Sequence, residues 1–461
     1  MSTPVTAVMV GAGERGYAAY GPHALNHPDE LRFVAVAEPN EVRRDRFASV
    51  HRIPPEAQFQ SWDDLLARDR MAEAALICTM DQMHADPVTG ALRAGYDVLL
   101  EKPIATTRAD CVRVEEAAER ARRLLQVCHV LRYTSFFSTL HEIVASGRLG
   151  EIVAVEHREN VVYWYMAHSY VRGNWRRRDQ TSPIILAKCS HDLDILAWNL
   201  GRCIQLSSFA PHPTFGPDNA PAGAPARCTD GRPLADRCPW YAPHLYLDLT
   251  PLLHMARRSR DMRERIGAGF TLRFPRWTEW LRRLAPPVER ALDYRQWPIS
   301  AISEDPSRAA RRRALEEGPY GRCVFRCDND VVDHQTVVMQ FESGATATLI
   351  LNGHAHEEAR TMRYDGTGAT LRGKSTYGLD DVIEIHDHVT GAVKRIHCGT
   401  SHARVTGHGG GDEGFMRAFV RAVRAAHEGT PQPRQALESH LMAFAADEAR
   451  LNGRVVTLLP R

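Results

Sequence analysis

The chain has 461 residues, 44% of them hydrophobic, enough apolar material to fill the cores of two or three domains. Its 58 lysines and arginines nearly balance 56 aspartates and glutamates, for a formal net charge of +2. That balance gives no overall field to gather nucleic acid or an anionic membrane, so a small, locally recognised partner is expected. The opening "MSTPVTAVMV" has no basic segment leading into an apolar core, so no secretory signal is read. Apolar runs such as "AALIC" and "DVLL" fall far short of the roughly 20 residues that cross a bilayer. A cytoplasmic protein with neither a nucleic-acid nor a membrane partner is the expectation. The 10 cysteines follow no regular framework and are expected to stay reduced. Cys228 with Cys238 and Cys323 with Cys327 could supply four thiolates, but the two-to-four-residue gap of a zinc site is not present on both sides, and no metal is expected.

From residue 5 to about 130 short apolar runs alternate with helical stretches. "TAVMVGAG" reads as a strand, "YAAYGPHALNH" as a helix and its exit, "LRFVAVAEPN" as a strand and "NEVRRDRFASVH" as a helix. The strand "AEAALICTM", helix "ADPVTGALRAG", strand "DVLLEKP", helix "TRADCVRVEEAAERARRL" and strand "LLQVCHVLRY" follow. Continuous apolar strands separated by helices predict a doubly wound parallel sheet, a Rossmann domain over residues 1–130. Residues 131–461 behave differently. "EIVAVEHRENVVYWY" and "HQTVVMQFESGATATLILNGHAHEEARTMRYDGTGATLRG" alternate apolar and polar residues around turns at Gly344 and Gly366, which predicts an α+β domain with a large, mainly antiparallel open sheet. Within it residues 210–319 start as a proline-rich loop and continue in short helical pieces. So long a segment is expected to be an inserted cap near the site or an oligomer contact.

"VGAGERG", Val10 to Gly16, follows the first strand and opens a helix, the setting a dinucleotide turn requires. Gly11 permits the tight turn, Gly13 lets a pyrophosphate approach the backbone, Gly16 allows helix and sheet to lie close, and the first helical amides face the phosphates. Glu38 ends the next strand at the offset of an acid that accepts from the adenosine ribose, which favours NAD. Arg43 and Arg44 stand nearby and keep NADP as the alternative.

"VLLEKPIATT", Val98 to Thr107, places an acid, a lysine and a proline at a strand end. With "ICTMDQMHA", "SGRLGEIVAVE", "CSHDLDILAWNLG" and "GHGGGDEGFMRAFVRAV" in this order, the chain resembles the glucose-fructose oxidoreductase, inositol dehydrogenase and rhizopine-catabolism family, Gfo/Idh/MocA, over nearly its whole length. The resemblance implies a cofactor held by Gly11, Gly13, Glu14, Arg15, Gly16 and Glu38, by Thr79 and His84 of the loop below the nicotinamide, and by Glu101, Lys102 and Pro103. It implies a sugar or polyol substrate and a homodimer or homotetramer built on the open sheet face. Lys102 maps onto the lysine that touches nicotinamide and substrate, and His191 onto the base that takes the hydroxyl proton. One departure stands out: family dehydrogenases often carry an aspartate four residues before that histidine, where this chain has Ala187, then Lys188. His191 is thus expected to lack its carboxylate and to feel a second ammonium, which would depress its pKa.

Tyr163, Tyr165, His168, Arg172 and Trp175 offer hydrogen bonds and stacking surfaces for a sugar. Arg132 and Tyr133 leave the last parallel strand, and His408 and Asp412 match the family's closing substrate contacts. Lys188, Arg172 and Arg176 would suit an acidic sugar. The leading expectation is an NAD(P)-dependent oxidoreductase moving a hydride between nicotinamide and a hydroxyl-bearing carbon of a sugar, inositol or related polyol. Two alternatives stand beside it: an NAD-recycling glycosidase working by oxidation, elimination and re-reduction, and a non-catalytic NAD-binding sensor.

Overall fold

The computed structural model describes the chain apart from residues 1–2, 212, 232–233, 260, 285–293, 295, 400–407, 428–436 and 459–461. Parts of the expected 210–319 insert, and Gly407 at the head of the expected closing loop, therefore lie outside the described residues.

Val5–Val10 (β1), Leu31–Ala37 (β2), Gln58–Phe59 (β3), Ala74–Ile77 (β4), Asp97–Leu100 (β5) and Leu125–Val127 (β6) form a parallel sheet in the order β3-β2-β1-β4-β5-β6. β1, β4 and β5 are buried almost throughout, as continuous apolar runs covered on both faces should be. The order reverses between β1 and β4, which puts the ligand crevice at the carboxyl ends of those strands. Helices on either side start on side-chain caps: Asn40 accepts from the Arg43 amide and Thr107 from the Asp110 amide.

The run "LLQVCHVLRY", expected as one strand, stops at Val127. A helical turn takes Val130–Tyr133, and Thr134 then caps the helix Ser135–Ala145. Buried Val130 and Leu131 supply the apolar signal that reads as more strand, since periodicity does not separate a short buried turn from a strand end.

The second sheet has nine strands: Ile152–Val162 (β7), Cys203–Phe209 (β8), His334–Phe341 (β9), Thr346–Ala355 (β10), Ala359–Gly366 (β11), Ala369–Ser375 (β12), Val382–Asp387 (β13), Val393–His397 (β14) and Val456–Thr457 (β15). Their order is β14-β13-β12-β11-β7-β10-β9-β8-β15, antiparallel except where β10 runs parallel to β7. Alternate residues of β9 and β10 are buried, the mark of a sheet covered on one face. Helix Ser190–Leu200 and helix Leu437–Asn452 supply that cover. The chain then ties its two cores together: Phe415, Met416, Phe419 and Val423 of helix Gly411–His427 pack into the parallel-sheet core.

The insert forms a third apolar cluster, with Ala242, Leu245, Tyr246, Ile299 and Leu315 against Val162 and Trp164. From it Glu304 reaches Arg43 at 2.7 Å and Ser300 reaches Glu14 at 3.4 Å, so the insert touches the first domain beside the glycine turn. No helix of the described residues is long and apolar enough to cross a membrane.

Candidate active site

The glycine turn divides its three glycines by what surrounds them. A Cβ on Gly11, whose φ is +91°, would lie 2.6 Å from the Cys78 carbonyl oxygen, and one on Gly16 would lie 2.2 Å from that of Gly11. Both positions are closed by backbone and admit only glycine. A Cβ on Gly13 would meet nothing within 4 Å, so the turn is open at the one glycine a dinucleotide must approach. Buried Glu38 faces this turn, accepting from the Ala12 amide at 2.8 Å and the Asn40 amide at 3.0 Å. Two acceptor oxygens with further lone pairs leave room for ribose hydroxyls. Arg43 is turned to Glu304, and Arg44 donates to the Glu38 carbonyl oxygen at 2.8 Å. These residues fit a dinucleotide whose ribose carries free hydroxyls.

Below the turn, His84 pins two loops: Nδ1 lies 2.6 Å from the Pro103 carbonyl oxygen and Nε2 3.1 Å from that of Thr79. Its role is to fix the floor of the crevice. Arg15 likewise does structural work, bridging Glu101 and Asp412, with Asp412 at 2.8 Å, while its guanidinium also meets the Tyr20 hydroxyl. Glu101 in turn accepts the Lys102 amide at 3.0 Å. One cation therefore joins the glycine-turn helix, the Glu-Lys-Pro strand end and the C-terminal helix.

Lys102 extends from that strand end to the second domain, where Nζ donates to the Ala187 carbonyl oxygen at 2.5 Å. Enclosure lowers its pKa, helped by Lys188 and Arg15 and resisted by Asp81 and Glu101. His191 stands close by on helix Ser190–Leu200, buried, its ring 5.6 Å from that of His408 and 5.9 Å from that of His129. Among the described residues its Nδ1 has no hydrogen-bond partner. Burial first, then Lys102, His408 and His129, hold its pKa well below the ordinary histidine value. The depression expected from Ala187 and Lys188 is present with a different cause: the neighbouring ammonium is Lys102. Lys188 is occupied by Glu358 at 2.7 Å and Glu159 at 3.1 Å, and sits 4.4 Å over the Tyr165 ring. Asp192, next in sequence to the histidine, turns away to His157 and Arg360, each at 2.8 Å. His408 meets Asp412 at 3.2 Å, at the head of helix Gly411–His427.

Several substrate candidates have other occupations. Arg132 forms a two-point pair with Asp194, both contacts 2.7 Å. Arg172, 1% exposed, donates to the carbonyl oxygens of Arg322 and Trp240 at 2.7 Å and approaches the Cys228 sulfur at 3.6 Å, organising the insert. Arg176 pairs with Asp328. His168 meets the Tyr246 hydroxyl at 2.6 Å and stacks on Tyr320, and burial pushes its pKa down to about 3. These four hold the second domain and its insert together. Tyr163 and Tyr165 pack with the insert, and Trp297 presses edge-on to Tyr165. Trp175 donates to Asp81 at 2.9 Å, linking the second domain to the loop after β4. Cys228, Cys238 and Cys323 line one small cavity with Tyr241 and Phe325, and among the described residues no group of three or more His, Cys, Asp or Glu stands together as a metal site.

The site also holds residues that motif reading does not reach. Arg360 on β11 pairs with Glu159 at 2.9 Å and contacts the Tyr377 hydroxyl. Tyr377 itself adopts φ +57°, a left-handed conformation costly for a tyrosine. Burial raises Glu159 to about 7, against the pull of Arg360 and Lys188. Only the second sheet brings these side chains together. Asp81, by contrast, lies within "ICTMDQMHA" and was within reach of a motif reading.

Comparison with known proteins matches two family models, the oxidoreductase-family NAD-binding Rossmann fold over residues 5–129 and the oxidoreductase-family C-terminal alpha/beta domain over residues 141–220. The two models are those of the N- and C-terminal domains of the Gfo/Idh/MocA family. The first domain of the chain matches that family's NAD-binding Rossmann domain. The chain is similar to inositol 2-dehydrogenase of Gluconacetobacter diazotrophicus, 34% identical over 200 residues, which are 41% of this chain and 54% of that protein. Inositol 2-dehydrogenase of Salmonella paratyphi B is 30% identical over 145 residues, 31% of this chain and 40% of its own. The chain thus spans about half or less of the length of these curated relatives. In fold it is similar to a levoglucosan dehydrogenase solved with NADH and levoglucosan, with TM-score 0.66, 13% identity and coverage of 99% and 100% of the two chains. An oxidoreductase of Agrobacterium radiobacter solved with NAD+, L-tartaric acid and magnesium gives TM-score 0.63, 15% identity and coverage of 99% and 98%.

Proposed function

We propose that this chain is an NAD-dependent oxidoreductase that moves a hydride between nicotinamide and a hydroxyl-bearing carbon of a sugar, inositol or related polyol. The observation that carries the reading is the meeting of Lys102, from the carboxyl edge of the parallel sheet, with buried His191 of the second domain, beside a glycine turn open only at Gly13. The inositol and levoglucosan dehydrogenases similar to this chain support the substrate class. Gly13, the amides of the following helix and Glu38 would hold NAD, and Glu38 with Arg43 turned aside favours it over NADP. When bound, NAD supplies the hydride acceptor. His191, neutral at working pH and with Nδ1 unpartnered among the described residues, accepts the hydroxyl proton. Lys102 orients the reacting oxygen, and burial together with its ammonium keeps the imidazole in the neutral form that can accept. His408 and Asp412 close the site over the substrate. Burial raises the Tyr163 pKa, the opposite of what a tyrosinate base in the glycosidase route requires.

Exposed Phe209, Val153 and Val338 on the open face of the second sheet support a homodimer or homotetramer built there. The functional test is NADH formation from NAD and a panel of polyols, inositols and sugars. Stoichiometric NADH with at least one of them is the expected result. Tight NAD uptake with no NADH across the panel, or sugar cleavage without net NADH, would overturn the proposal.

A further inference from the structure

In helices Met262–Arg273 and Pro275–Leu284 of the insert, the described side chains are packed inside out. Among the described side chains, the buried positions are the small or polar Ala268, Thr271 and Thr278. The large apolar side chains Met262, Ile266, Phe270, Phe274, Trp277 and Trp280 are 44–63% exposed. Met262, Ile266 and Phe270 recur every fourth residue and so form one stripe. Phe270 and Phe274 continue it with ring centroids 5.3 Å apart, and Trp277 and Trp280 extend it at 5.8 Å. Single exposed apolar residues are ordinary on a protein surface, but a contiguous aromatic stripe marks a contact.

Charge selects the occupant. Residues 257–284 hold nine arginines against three acids, whereas the whole chain carries only +2. The near-neutral total conceals a strongly basic segment around the apolar stripe. Trp and Phe on one face amid arginines is the composition of a helix that lies in a membrane interface. A two-fold contact between copies of this face would set arginines against arginines. We propose that this helical pair docks the protein, peripherally and reversibly, on an anionic lipid surface, with the aromatic stripe entering the headgroup boundary and the arginines facing lipid phosphates.

The test is co-sedimentation of the full chain with vesicles of phosphatidylglycerol and phosphatidylcholine, against phosphatidylcholine alone. The native chain is expected to pellet with the anionic vesicles and to be released by salt. Trp277→Ser with Trp280→Ser, and separately Arg273→Glu with Arg276→Glu, should each weaken partitioning by about tenfold or more. Unchanged NAD uptake by both variants checks that they fold. Absence of binding to anionic vesicles, equal binding to neutral ones, or native-level partitioning of folded variants overturns the proposal. So does a larger species in light scattering that the tryptophan substitutions dissociate while the native chain ignores vesicles, because the stripe would then be a protein contact.

Discussion

Replacing Arg15 with Met would remove the cation that joins three separate parts of the site. Glu101 and Asp412 are both buried, and removing one partner of a buried pair typically costs about 3–5 kcal/mol. The low end applies, because Glu101 keeps the Tyr20 hydroxyl and the Lys102 amide, and Asp412 keeps His408. A loss of about 3 kcal/mol is an increase of about 150-fold in the unfolding constant. The pH dependence separates this cause from lost packing. Burial pushes both carboxyls up, but Arg15 in each case prevails, aided by Tyr20 at Glu101 and by His408 at Asp412, so both pKa values lie below their ordinary ones. A depressed carboxyl gives stability that is full above its unfolded pKa, about 4, and is lost as pH falls. Urea unfolding followed by tryptophan fluorescence should therefore show a wide gap between native and Arg15→Met protein at pH 7 that narrows below about pH 4. A gap under about 1 kcal/mol, or one that does not change with pH, would refute the reasoning.

Gly13→Ala is expected to leave the thermal midpoint unchanged yet weaken NAD binding at least about tenfold, whereas Gly16→Ala should lower both, since its Cβ meets backbone at 2.2 Å; calorimetry with and without NAD reads the two effects. His191→Asn should cut kcat by about 10²–10⁴ with NAD affinity retained, and the acid limb of the native kcat/KM profile should lie below about pH 6.5, because burial and Lys102 keep the imidazole neutral. Glu159→Gln should gain stability relative to the native chain between pH 5 and 8. The native carboxyl, raised to about 7, stabilises fully below its unfolded pKa and loses that contribution as pH climbs through 7, while glutamine does not titrate; thermal midpoints at the two pH values decide it.

What the sequence discloses is what lies close together along the chain. The glycine turn, Glu38 and the Glu-Lys-Pro end each sit at a strand terminus whose position the alternation of elements sets, and His191 opens a helix at a recognisable place. Arg132, Arg172 and His168 show the limit. A buried arginine serving carbonyl oxygens or a buried carboxylate has the same local pattern as one awaiting a sugar, and only the partners Asp194, Trp240 and Tyr246, 62 to 78 positions away, distinguish them. Arg360, Glu358 and Tyr377 had no signal at all, because strands paired across the second sheet carry them to Lys188 and Asp192. The near-neutral total charge averages over a basic helical pair whose apolar stripe becomes visible only when burial is known.

In the proposed reaction Lys102 and His191 manage the proton while a carbon of the substrate gives up its hydride to nicotinamide. The most direct measurement uses NAD and a polyol carrying deuterium on its oxidised carbon, with mass spectrometry of the recovered nicotinamide. Deuterium should appear in the reduced ring with the native chain and fall by about 10² or more with a Lys102→Met variant that still takes up NAD. Reduced nicotinamide without the label, or transfer by Lys102→Met at the native rate, would rule out these roles for the two residues.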